Sequence, residues 1–247
     1  MVQTLRVIIP LFIGLTLLSS CSSEEKKADT PEGAYAIAEE FAKEDRYEIA
    51  IQKYNDVRNK FPYSPFALKA ELSIADTYFK KESFPEAQIA YQAFRELHPT
   101  HPKIDYVIFQ IAMSYYSQIP DTVDRDITLS NEAIATFEEI ITKYPKSEHF
   151  VPASEKKLEC RKKLAEKELY IADFYFKHNQ CDSALPRYEG LLKSFAQLGY
   201  EPGALKNAGI CSFKLGIPEK TRVFLGRLEK EFPNSDDLVE LKKALTK

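Results

Sequence analysis

Four alanines, Ala50, Ala87, Ala133 and Ala184, each stand four residues ahead of an aromatic ring: Tyr54, Tyr91, Phe137 and Tyr188. Twelve residues beyond the first three comes a proline, Pro62, Pro99 or Pro145. Twelve residues before three of them sits another alanine, Ala38, Ala75 or Ala172, followed three positions later by Phe41, Tyr78 or Tyr175. A fifth, weaker copy aligns Gly209, Thr221, Leu225 and Pro233. Self-similarity at this period marks a chain built from stacked units.

The recurring residue types say what each unit is. Two antiparallel helices approach closely only where their crossing carries small side chains, which the alanines supply. The aromatic one turn further along the second helix fills the wedge towards the next unit, and the proline, unable to continue a helix, ends it. Each helical hairpin keeps an apolar face that only a neighbour can cover. This is the pattern of a tetratricopeptide repeat, and it predicts an all-α superhelix of five helical hairpins with a concave groove.

The spacing is 37 residues between repeats one and two and between four and five. Between Ala87 and Ala133 it grows to 46, and the surplus falls in "IPDTVDRDITL", because Ala112 and Tyr115 still hold first-helix positions. Between Ala133 and Ala184 it is 51. That second surplus, near "HFVPASEKKLECRKKLAEKELYIADFYFKHNQ", reads as one long helix with Pro152 at its first position. It joins front repeats one to three, residues 32–150, to a rear half, residues 151–247, that holds repeats four and five.

The amino end is an export signal. Residues 1–20 carry Arg6, then an apolar run from Val7 to Leu18 that is too short for a comfortable membrane span and is followed by "SSEEKKADTPEG". Its end, Leu18-Ser19-Ser20-Cys21, looks like a bacterial lipobox, with Cys21 as the lipid attachment site; an ordinary signal peptide with a chance cysteine is the alternative. Each buried acyl methylene contributes about 0.8 kcal/mol, so more than one chain gives a stable anchor. By the sorting rule of enteric bacteria, Ser22 at the next position implies the outer membrane. Residues 21–31 read as a flexible tether.

Several function classes recede. The chain carries 34 Lys+Arg against 37 Asp+Glu, and the leader holds one of those cations, so nothing favours a nucleic-acid partner. There is no Gly-rich phosphate loop, nucleophile elbow or H-E-x-x-H, and only eight glycines, so neither an enzyme nor a cofactor is expected. His98 and His101, in "LHPTHPKIDYV", invite a metal reading. Pro99 closes repeat two, however, and Pro102 is expected to start repeat three, whose apolar stripe is Ile104, Val107, Ile108 and Ile111. Two imidazoles in that turn lack a third ligand, since His149 and His178 belong to other repeats. Cys160, Cys181 and Cys211 allow at most one internal disulfide, and the sequence does not name the pair. Their wide spacing matches no zinc or redox motif, which favours small buried hydrophobes.

"PTHPKIDYV", with the lipobox, the five-repeat layout and "RYEGLL", resembles the BamD (ComL) lipoprotein family of the outer-membrane β-barrel assembly machine over essentially the whole mature chain. "KFPYSP" at 60–65 and "DRD" at 124–126 are weaker echoes. The resemblance implies a scaffold without enzymatic activity, lipid-anchored at the periplasmic face of the outer membrane. Its implied partners are the periplasmic domains of a BamA-type barrel protein, unfolded outer-membrane proteins carrying a C-terminal β-signal, and other assembly lipoproteins. The arginine of the family's R-x-E-G segment, tied to coupling with BamA, corresponds to Arg187; a plain solvated arginine is the alternative. Phe61 matches a position linked to substrate signals where the family often has tyrosine, so the ring is kept and a hydroxyl lost. A helix-end aromatic packing on its own repeat is the competing reading. Asp124, Arg125 and Asp126 lie in an insertion shorter than in the enteric proteins and are candidates for partner contact.

A groove lined by tyrosines also suits an extended, aromatic-ended peptide, offering apolar area and hydroxyls for backbone groups. Tyr35, Tyr63 and Tyr78 join Phe61 as candidates, although most rings must serve the core. The runner-up is another repeat lipoprotein of the envelope, a pilotin or a division-linked factor, which leaves "HPKIDYV" without a reason. An envelope enzyme would need titratable groups converging in a pocket.

Overall fold

The computed structural model describes residues 28–246. The expected leader, the lipid-attachment cysteine Cys21 and the tether up to residue 27 lie outside the described residues. Among the described residues there are eleven helices and no strand. Five hairpins follow one another: α1 (Pro31–Lys43) with α2 (Tyr47–Lys60), α3 (Pro65–Lys80) with α4 (Phe84–Leu97), α5 (Ile104–Ser117) with α6 (Leu129–Lys143), α7 (Phe150–Lys177) with α8 (Cys181–Ser194), and α9 (Glu201–Lys214) with α10 (Pro218–Glu231). A last helix, α11 (Asp236–Leu245), packs on α9. The chain is a tetratricopeptide superhelix.

The repeat positions do what their chemistry demands. Ala38, Ala50, Ala75, Ala87, Ala112, Ala133, Ala172 and Ala184 are all fully buried, and so are Tyr91, Phe137 and Tyr188. The core is a row of clusters, each formed by one hairpin and the first helix of the next. The last cluster gathers α7 to α11 into one. In the fifth repeat the buried ring is Phe224, with Leu225 packed beside it.

Four of the five hairpins turn in the same way. Asp45, Glu82, Asn179 and Gly216 adopt positive φ of 57°, 62°, 58° and 68°. The next residue's N–H then reaches back to a carbonyl in the preceding helix: Arg46 to Phe41, Ser83 to Tyr78, Gln180 to Tyr175 and Ile217 to Ser212, at 2.9–3.0 Å. These are Schellman caps, which satisfy carbonyls the helix end leaves open. The third hairpin instead holds the insertion, residues 118–128.

Between hairpins, the second helices of repeats one, two, three and five stop at Phe61, His98, Tyr144 and Phe232, each one residue ahead of a proline. Two expected helix starts are corrected. Pro102 lies in the turn, and α5 begins at Ile104 after successive bonds from His101 N–H to the His98 carbonyl and from Ile104 N–H to that of His101. Pro152 is the third residue of α7, not the first. All first-turn positions lack an intrahelical acceptor for their N–H, so proline is tolerated at any of them. The expectation for the cysteines is also corrected: Cys160 is a buried free thiol, but Cys181 and Cys211 are joined.

The long helix α7 belongs to two repeats. Its first half covers repeat three, with Cys160 in the cluster of Ile108, Phe137 and Ile140. The Tyr116 hydroxyl donates to Glu159 at 2.5 Å there, and Lys157 pairs with Glu138. Its second half pairs with α8 as the fourth hairpin.

Candidate functional site

The front half presents a groove of about 440 Å³ where first helices line its surface, with Tyr35 and Glu39 from α1, Leu72, Ser73 and Asp76 from α3, and His101 and Lys103 from the turn before α5. Tyr35 is half-buried, its ring 5.4 Å from Tyr54 and 5.6 Å from Phe66. Its hydroxyl meets the Ser73 Oγ at 2.9 Å. Burial pushes the Tyr35 phenol upward, so it stays protonated and able to donate.

Asp76 is the pivot of this surface. Its Oδ1 accepts from the Tyr91 hydroxyl at 2.6 Å and from the Tyr106 hydroxyl at 2.7 Å, and Gln110 Nε2 donates to Tyr106 at 3.0 Å. Burial first, then the Asp76 charge, raises both phenols, Tyr106 to about 12. The rear half repeats the device: the Tyr188 hydroxyl donates to Asp173 Oδ1 at 2.6 Å, and Asn207 bonds to both. The sequence carries this twice, as "IADTYF" at 74–79 and "IADFYF" at 171–176. Aligning the two segments exposes Asp76 and Asp173, which the recurrence of alanines and aromatics alone does not pick out.

"HPKIDYV" has a task for most of its members. His98 Nε2 meets Glu71 Oε2 at 2.7 Å, and His98 and His101 both pack on Phe94. The Lys103 N–H donates to His101 Nδ1 at 3.1 Å, so that nitrogen is unprotonated and the proton of neutral His101 sits on Nε2. Burial, then His98 and Lys103, lowers the pKa of His101 and keeps it neutral. Asp105 Oδ2 accepts from the Ser147 hydroxyl at 2.6 Å, tying the start of α5 to the turn before α7. The lining thus offers Glu39 and Asp76 together with Lys69, Lys103 and an imidazole donor around the Tyr35 ring and the side chains of Leu68 and Leu72.

Of the four rings singled out from sequence, Tyr35 lines this groove. Phe61 is the half-buried C-cap of α2, with its N–H on the Val57 carbonyl. Tyr63 is 100% exposed at the following turn. Tyr78 packs between the first and second clusters.

The partner candidates meet on one turn of α7. Arg187, on α8, places Nη1 at 3.1 and 3.4 Å from the two Glu168 carboxylate oxygens. In the insertion the Arg125 carbonyl accepts from Lys167 Nζ at 2.6 Å, the Ile127 side chain is buried, and Asp126 Oδ1 accepts from the Thr128 N–H at 2.9 Å. Asp124 is exposed, its carboxyl lowered by the Thr122 hydroxyl. Residues 167 and 168 therefore receive the insertion and Arg187 side by side. Exposed ion pairs such as Arg187–Glu168 contribute about 0–1 kcal/mol, so the guanidinium is only weakly held.

With this geometry in view, comparison with known proteins gives a consistent answer. The family model YfiO, described as outer membrane lipoprotein, matches residues 27–223. The chain belongs to this family. Relatives named "Outer membrane protein assembly factor BamD" include that of Neisseria meningitidis serogroup A, 27% identical over 93% of this chain and 92% of its own. The Rickettsia prowazekii protein of the same name is 26% identical over 91% of this chain and 90% of its own, and the Vibrio cholerae one 25% over 74% and 80%. Among the described residues no helix is long and apolar enough to cross a membrane.

Proposed function

We propose that the protein is a lipid-anchored periplasmic scaffold of outer-membrane protein assembly, tethered through Cys21 to the outer membrane. In this reading the front half, residues 32–150, takes segments of unfolded outer-membrane proteins along the groove of Tyr35, Ser73 and Asp76. The rear half, residues 151–247, holds a BamA-type barrel protein through Arg187, joined by the front-half insertion at Asp124, Arg125 and Asp126 that docks beside it on α7; Phe61 and Tyr63 extend the peptide surface, and Tyr78 supports it from the core between the first two repeats. The carrying observation is the near end-to-end match to relatives named as assembly factors. The groove supports the reading through its chemistry: half-buried phenols and fixed hydroxyls suit the backbone and rings of an extended peptide.

The test is capture from solubilised envelopes through a tag at the carboxyl end, with identification of the largest partner. A large outer-membrane β-barrel protein is expected, and Arg187→Glu should reduce its recovery while leaving the fold intact, because the pair it breaks is solvent-exposed. Unchanged recovery would remove the role of Arg187. A secretin ring or a peptidoglycan synthase in place of the barrel protein would favour a pilotin or a division-linked factor instead.

A further inference from the structure

The scaffold role makes no use of the rear cysteines. Cys181 is the first residue of α8 and Cys211 lies in the last turn of α9; they are joined, with Cα atoms 4.9 Å apart and a separation of 30 positions in sequence. Both sit within the rear core, beside Ala184, Leu185 and Ala208. The bridge therefore crosses from the fourth hairpin to the fifth. The front half has no counterpart, since no cysteine lies between Cys21 and Cys160. Cys160 is held in a different cluster, against α5 and α6, where burial pushes its thiol up to about 11 and keeps it protonated and unreactive.

We propose that the rear half matures by oxidation: one thiol–disulfide exchange joins Cys181 to Cys211 and locks α8 onto α9, while the reduced chain keeps a native front half and a loosened rear half. The oxidant is an external disulfide, of a protein or of a small thiol. A thiolate of the pair attacks it, forming a mixed disulfide and releasing one thiol; the second cysteine, as thiolate, then displaces the remaining thiol. The two cysteines give up two protons and two electrons, and the oxidant's disulfide becomes two thiols. Such oxidants act outside the cytoplasm, so in the cell this step rests on the export reading of the leader. Closing a loop of 30 residues favours the folded state by about 500-fold in the chain-entropy model.

Two measurements test this on the full chain. Alkylation under denaturing conditions, applied to the lipoprotein purified from envelopes, should find one free thiol, Cys160, and three after reduction, because in the proposed lipoprotein the Cys21 sulfur carries diacylglycerol through a thioether that reduction leaves intact. Refolding of the reduced chain, with and without glutathione disulfide, is then followed by amide hydrogen exchange. Without oxidant, α8 to α11 should exchange about 100-fold faster or more, with α1 to α6 unchanged. Cys160→Ser should keep that oxidant dependence, and Cys181→Ala with Cys211→Ala should abolish it and stay loosened. Three free thiols in the leader-processed chain, or equal protection with and without oxidant, overturns the inference. The refolding arm needs no export, so an uncut leader in the envelope sample would count against the localisation alone.

Discussion

Replacing Asp76 by alanine tests whether the groove is built on its carboxylate. Two phenols donate to one oxygen of Asp76, at 2.6 and 2.7 Å, and one of them, Tyr91, is fully enclosed. Hydrogen bonds to charged groups are worth about 1.5–3 kcal/mol each, and because Asp76 is only half-buried the lower end applies, giving roughly 3 kcal/mol for the pair. For a domain of this size each kcal/mol moves Tm by about 2–4 °C, so the melt should fall by about 6–12 °C. Asp76→Asn keeps an acceptor and should cost only about 1 kcal/mol. The assay is thermal unfolding by circular dichroism, combined with Tyr91→Phe in a double-mutant cycle, where the two losses should be clearly less than additive. Asp173→Ala repeats the experiment at the rear, with Tyr188 as the enclosed phenol. An Asp76→Ala protein that melts within 2 °C of the parent, or a strictly additive cycle, would refute the reasoning.

Other outcomes follow from single contacts. A Cβ at position 209 would stand 2.9 Å from Cδ1 of the fully buried Leu241, so Gly209→Ala should force that side chain to repack; an overpacking cost of about 1–3 kcal/mol, less about 1 kcal/mol gained in helix propensity, leaves a net loss of up to about 2 kcal/mol and faster proteolysis at the carboxyl end. Burial alone would raise the carboxyl of Asp105, but the Ser147 hydroxyl, the Tyr106 N–H and His149 together hold it below its usual value. Its contribution is therefore complete above the unfolded range near pH 4 and lost as pH falls through the lower folded value, so Asp105→Asn should flatten the acid limb of a Tm-against-pH curve below about pH 4.

The hairpins were legible because their signal is steric: a small residue where axes cross and a large one where the wedge opens recur whatever the exposed residues do. The long helix was legible from the absence of breakers between Pro152 and residue 180. Less was readable where one residue type has several permitted positions. Proline marks the neighbourhood of a helix start rather than its first residue, which displaced the starts of α5 and α7. Helix α11 went unassigned, although Ser235 at its N-cap, Asp236 and Asp237 in the first turn and Lys242 and Lys243 in the last form a capping signature. The disulfide was hidden because pairing depends on which helices become neighbours, not on spacing. Among the site candidates, nothing local distinguishes Tyr35, which lines the groove, from Tyr78, whose ring turns into the core. That difference is set by packing between repeats.

Helix α7 has a mechanical consequence. Its 28 residues, at about 1.5 Å each, make a shaft of roughly 42 Å. Repeat three grips one end and α8 the other, with no loop between to act as a joint. A torque applied to the rear repeats is therefore carried along this shaft to the front repeats rather than absorbed at a joint.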